Sequence, residues 1–133
     1  MHKIDHIAIA VKSLASSIPL FEKMLGHPCY KVEEVASESV KTAFFQTGES
    51  KVELLEGVDP EGVIARFIEK KGEGLHHVAF GVPDILIKIA ELKKEGFEFI
   101  SETPKRGADN KLIVFLHPKC TNGVLVEICQ EIN

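Results

Sequence analysis

Four side chains in this sequence have the types and the spacing to hold a divalent cation. His6 opens the run His6-Ile7-Ala8-Ile9-Ala10-Val11, and His77 opens His77-Val78-Ala79-Phe80-Gly81-Val82. Glu53 stands in Val52-Glu53-Leu54 and Glu127 in Val126-Glu127-Ile128. His77 follows His6 by 71 positions, and Glu127 follows Glu53 by 74. Two imidazoles and two carboxylates converging in one cleft make a ligand set that cobalt, nickel, zinc or manganese accepts, with positions left for an exogenous ligand. A lone strand histidine is more often a hydrogen-bonded core residue, and a lone strand glutamate is usually solvated. The pairing of all four by one repeat is what favours the metal.

These residues need strands to position them. Both histidine runs alternate with period two. One face carries Ile7, Ile9 and Val11, or Val78, Phe80 and Val82; the other carries a histidine followed by two tiny residues. The bulky face is expected to pack and the small face to line a cavity. After the first run a helix is expected, with Ser13 as N-cap, Leu14, Ile18, Phe21 and Leu25 on one side, and Gly26 at its C-terminus. Pro19 inside it should kink it or restrict its first turns. Strands follow at Cys29–Val35, Val40–Gln46 and Lys51–Leu55. A linker helix comes next, with Asp59 as N-cap and Pro60 at its first position, ending at Gly72. The pattern then restarts: the second histidine strand, a helix capped by Asp84 and closed by Gly96, then strands at Glu98–Ser101, Lys111–His117 and Val124–Cys129. Asp84 follows Ser13 by 71 positions, the same offset as the histidines.

An internal repeat of this length fixes the architecture. The expected fold is α+β: two paired βαβββ modules forming an eight-stranded, partly closed mixed sheet around a metal cleft, with helices outside. A single domain of 133 residues holds module 1 at about 1–57, the linker helix at about 59–72 and module 2 at about 74–130. Net charge of −4 argues against nucleic acid as the partner, and no apolar run is long enough for a membrane helix. Cys29, Cys120 and Cys129 have no metal spacing, so reduced thiols in a cytoplasm are the simplest reading.

The remaining candidates carry weaker signals. His76 falls on the face opposite His77 and is assigned a packing or supporting role. His2 and His27 read as structural or solvated. His117 ends a strand and is placed at the cleft mouth. Lys105, Arg106, Lys111 and Lys119 stand against one acid, Asp109, between Thr103 and Lys119. Solvated surface is the plainer reading of that run; a landing patch for phosphates is the functional one. No Gly-rich phosphate loop or dinucleotide fingerprint is present.

Asp5-His6-Ile7-Ala8, its echo Gly74-Leu75-His76-His77-Val78-Ala79, and Phe115-Leu116-His117-Pro118-Lys119 with Gly123-Val124-Leu125-Val126-Glu127 resemble the vicinal-oxygen-chelate superfamily. Within it they are most similar to the methylmalonyl-CoA epimerase family. The resemblance runs from Ile4 to about Gln130. The doubled histidine and the His-Pro-Lys stretch favour the epimerases, since glyoxalase I-like relatives commonly carry an Asp-Pro turn there.

The resemblance implies a metal held by His6, His77 and Glu127, with Glu53 where relatives place Gln or Glu. It implies interconversion of the C2 epimers of methylmalonyl-CoA through a metal-stabilised enolate. A carbon acid between a thioester and a carboxylate ionises slowly unless the developing charge is neutralised. Glu127 is then the base adjoining the metal. Some epimerases carry a second, non-ligand glutamate where this chain has Thr42, which leaves Glu53 or an ordered water to carry the second proton. His117, Lys119, Lys105 and Arg106 would contact the acyl-CoA. Relatives commonly form homodimers, although no interface is legible here. A glyoxalase I-like lactoylglutathione lyase and a non-catalytic small-ligand binder of the same superfamily are the alternative readings.

Overall fold

The computed structural model describes residues 3–132, so His2 lies outside the described residues. Among them are eight strands and three α-helices: β1 (Lys3–Ala10), α1 (Leu14–Leu25), β2 (Lys31–Val35), β3 (Val40–Thr47), β4 (Ser50–Gly57), α2 (Val63–Lys71), β5 (Gly74–Gly81), α3 (Ile85–Lys94), β6 (Lys105–Gly107), β7 (Lys111–Phe115) and β8 (Val126–Glu131). The strands run in the order β2-β3-β4-β1 in the first half and β5-β8-β7-β6 in the second, the expected α+β class. Contacts divide the chain into a unit of His6–His76 and a unit running from His77 onward that includes the N-terminal residues up to Asp5. Among the described residues no helix is long and apolar enough to cross a membrane.

In the His6–His76 unit, β1 pairs in parallel with β4, while β2, β3 and β4 form an antiparallel meander. Helix α1 starts where the sequence places it. The Ser13 side chain accepts the Ser16 N–H at 3.3 Å, and Gly26 ends the helix with φ 81°. The helix is continuous through Pro19. Pro19 and Ala15 are both exposed, so the carbonyl that Pro19 leaves without a donor is on the wet side of the helix. Ile18, Phe21 and Leu25 pack on a cluster that includes Val11, Phe45 and Leu54.

The opposite face corrects the expectation of an open wall. Ala8 and Ala10 are fully buried with Val40, Leu55 and Ile64, against Phe67 and Ile68 of α2. The small side chains let α2 approach the sheet closely. A Cβ on Gly57 would stand 2.9 Å from the backbone nitrogen of Ala65. Only the His6 end of this strand face is left for chemistry. Helix α2 also begins later than expected. The Asp59 carboxylate takes the Glu61 N–H at 2.9 Å and its carbonyl takes the Gly62 N–H at 2.8 Å, so Asp59-Pro60 makes a turn ahead of the helix.

The unit from His77 repeats the plan: β5 is parallel to β8, and β6, β7 and β8 are antiparallel. Asp84 caps α3 by accepting the Ile87 N–H at 3.1 Å. Ile85 and Ile89 pack with Val82, Val114 and Ile128. A second device recurs in both units. Glu56 of β4 accepts the Leu14 N–H at 2.6 Å, and Gln130 of β8 accepts the Ile85 N–H at 2.8 Å. The last strand of each repeat thus satisfies an orphan donor of its helix.

One strand is displaced from its expected position. Residues 98–101 make only an isolated bridge, Phe99 with Leu116, and the ladder strand is Lys105–Gly107. Asp109 and Asn110, with φ of 60° and 54°, turn that short strand back onto β7. Gly107 fits there because a Cβ would meet Ile113 Cδ1 at 2.8 Å. A three-residue edge strand rich in cations has no alternating pattern to reveal it.

The close seat of α2 generates a test. Gly57→Ala forces α2 or β4 to shift, and unfolding by urea should show a loss of about 1–3 kcal/mol. Unchanged stability would mean that the helix does not rest on this contact.

Candidate metal centre

Ladder register explains how each histidine reaches its glutamate. In parallel pairing Ala8 stands opposite Glu53, and in the second unit Ala79 stands opposite Glu127. Each histidine lies two residues before its alanine and so on the same strand face. The His6 Nδ1 is 3.2 Å from Glu53 Oε2, with both side chains about 5% exposed. The His77 Nε2 is 3.1 Å from Glu127 Oε1, and these are buried to the same degree. Phe44 opposes Glu53 and Phe115 opposes Glu127 on the neighbouring antiparallel strands. The Phe115 ring meets His77 edge-on, with centroids 5.4 Å apart.

A carboxylate taken this far out of water needs a cation or donors beside it. Ligands bound at ~2.1 Å around a tetrahedral or octahedral cation stand ~3.0–3.4 Å apart. The two separations observed match such ligand edges, and they also match a histidine–carboxylate hydrogen bond. The donor types, imidazole nitrogen and carboxylate oxygen, suit a first-row divalent cation, so the residues present fit the group.

The other candidates divide by environment. His76 packs its ring edge-on against Phe67, centroids 4.9 Å apart. Thr42 is buried in β3, opposite Leu55 on one side and Glu33 on the other. His117 is exposed and accepts the Lys119 N–H on its Nδ1 at 3.2 Å. Lys119 Nζ lies 2.9 Å from Glu98 Oε1. The hydrogen bond and charge of Lys119 hold the Glu98 carboxyl below its ordinary value, and Glu98 raises Lys119 in return. Both are at the surface, where such a pair contributes little to stability. Lys105 and Arg106 are exposed on β6, and Arg106 bonds the Asn110 side chain at 3.2 Å.

Lys111 does not belong with these surface cations. It is buried, with Nζ 3.6 Å from Asp5 Oδ1 and 3.4 Å from Asp109 Oδ2. Lys111 and Asp5 line a 310 Å³ pocket together with Gly81, Cys129 and Glu131. Sequence reasoning missed this group, because a lysine at the head of a strand reads as solvated. The only signal was an acid directly preceding His6.

Residues 5–115 match the family described as the Glyoxalase/Bleomycin resistance protein/Dioxygenase superfamily. The chain is 39% identical over 130 residues to the uncharacterized protein YqjC of Bacillus subtilis, covering 98% of this chain and 93% of that one. It is 35% identical over 130 residues to the ethylmalonyl-CoA/methylmalonyl-CoA epimerase of Cereibacter sphaeroides, covering 96% and 97%. Among solved structures, a methylmalonyl-CoA epimerase of Streptomyces coelicolor in complex with 2-nitronate-propionyl-CoA superposes with a TM-score of 0.90 at 30% identity, over 97% of this chain and 94% of that one. Fold, repeat and kinship agree: the chain belongs to the glyoxalase/bleomycin resistance protein/dioxygenase superfamily, among relatives that include named methylmalonyl-CoA epimerases.

Proposed function

We propose that the chain is a metal-dependent epimerase that interconverts the C2 epimers of methylmalonyl-CoA. One observation carries the reading: each repeat buries a histidine against a glutamate at equivalent ladder positions, 3.2 Å apart in the first and 3.1 Å in the second. Kinship with proteins named as epimerases of malonyl-type thioesters supports the substrate class.

In this proposal His6, Glu53, His77 and Glu127 hold one divalent cation. When bound, the cation would supply positive charge to the oxygens of the thioester and carboxylate as the carbon between them loses its proton. Glu127 removes the C2 proton on one face. It is buried, opposite Phe115 and 3.1 Å from the His77 Nε2. Glu53, in contact with His6, serves as a ligand. The exposed cations Lys105, Arg106 and Lys119, with His117, offer charge and hydrogen bonds to the phosphates of the thioester's carrier.

Incubation of the metal-loaded protein with one epimer in deuterated water should give deuterium at C2 together with loss of chirality. A chelator should abolish both, and added cobalt should restore them. Full metal loading with no C2 exchange, or turnover of the methylglyoxal–glutathione adduct instead, would contradict the reading.

A second measurement asks whether both repeats serve one ion. Cation at 100 times its Kd should stabilise the wild-type fold by about 2.7 kcal/mol. His6→Ala and His77→Ala should each lose that gain. A variant that keeps it excludes its histidine from the site.

A further inference from the structure

Lys111 is buried, and one of its carboxylate partners directly precedes His6 in the chain. We propose that Lys111 is a positioning residue for the metal centre, an inference that rests on the epimerase reading. By holding Asp5, it fixes the main chain just before His6 on the unit that carries His77 and Glu127.

Contacts divide β1 in two. Its residues up to Asp5 group with the unit from His77 onward, while His6 opens the other unit. The chain passes between the units across a single peptide bond, which joins Asp5 to His6. Adjacent Cα atoms across such a bond are about 3.8 Å apart. What holds Asp5 therefore limits where the His6 imidazole can reach.

The segment before His6 lies close to β5 at Gly81. A Cβ on Gly81 would stand 3.8 Å from the Asp5 Cβ and 3.6 Å from the Lys3 side chain. Lys111 adds charge to this approach. Its Nζ is 3.6 Å from Asp5 Oδ1, with the two side chains 4% and 3% exposed. The ammonium is itself placed by the hairpin of β6 and β7. Lys111 stands opposite Gly107 on one side and Glu131 on the other. Asp109, at φ 60° in the connecting turn, brings its carboxylate to 3.4 Å from Nζ.

Packing alone does not require charge here. Taking an ammonium and a carboxylate out of water costs enough that an apolar pair of similar volume is often as stable. What the ion pair adds is register. Side chains alternate along a strand, so a slip of one residue would present His6 where Asp5 stands and turn Asp5 away. Such a slip would strip the buried ammonium of one carboxylate, a penalty that an apolar contact does not carry. The pair thus selects the alignment that leaves His6, and not its neighbour, free to reach the cation.

Cobalt titration of the full chain, with proton NMR of the loaded protein, reads this role separately from stability. Ring-proton signals shifted by bound cobalt report each histidine, and His6→Ala and His77→Ala assign them. Lys111→Met removes one charge; Asp5→Asn with Lys111→Met removes both, so that neither buried ion is left unpaired. In both variants cobalt affinity should fall by about 10-fold or more. The shifted signal of His6 should be lost while that of His77 stays. If Lys111→Met does not fold, the double variant decides. A double variant that binds cobalt within about twofold of wild type, with both signals in place, would overturn the proposal and leave the epimerase reading intact. Equal loss of both signals, or a double variant that cannot fold, would also overturn it, since either marks a structural role. Wild-type protein in which cobalt shifts only one histidine, or none, removes the shared cation and the proposal with it.

Discussion

Burying a carboxylate beside an imidazole is the constraint on which this fold turns. Glu53 and Glu127 are as deeply enclosed as the aliphatic residues around them. An isolated charge at such a place costs several kcal/mol, so a partner must be delivered to each with ångström accuracy. The parallel strand pairs do this. Because β1 pairs with β4 and β5 with β8 at matching register, each histidine and its glutamate project from adjacent strands on one face. A slip of one residue would turn either acid into the apolar layer beneath α1 or α3.

The helices defend that register. Helices α1 and α3 are capped by Ser13 and Asp84, and each is tied again to the closing strand of its own repeat by Glu56 or Gln130. Helix α2 seals part of the inward face of the first repeat, where Ala8 and Ala10 leave it space. The second repeat has polar groups at the equivalent ladder rows, among them Lys111 with its partners Asp5 and Asp109. The duplicated halves therefore agree on where His and Glu stand and differ in what covers the rest of the face.

Much of this could be read in the chain. The 71-residue offset shared by the histidines and the helix caps gave the repeat and the succession of elements in each half. Period-two alternation placed β1, β3, β4 and β5 closely, since each carries a buried face. It failed where packing rather than pattern decides. A His-small-small strand face read as a cavity wall, although small residues equally admit a helix, and Ala8 and Ala10 took that role. Strand β6 is too short and too charged to alternate, and Phe99 and Ile100 looked more strand-like than Lys105–Gly107. Lys111 owes its surroundings partly to Asp5, far away in sequence, which spacing along the chain does not reveal.

In the proposed centre one cation receives ligands from both repeats. Anomalous scattering from crystals grown with cobalt measures this directly. It should give one strong peak per chain, with nitrogen from His6 and His77 and oxygen from Glu53 and Glu127 at about 2.0–2.2 Å. Two separate peaks, one at each His–Glu pair, or a peak bound by neither histidine would contradict it.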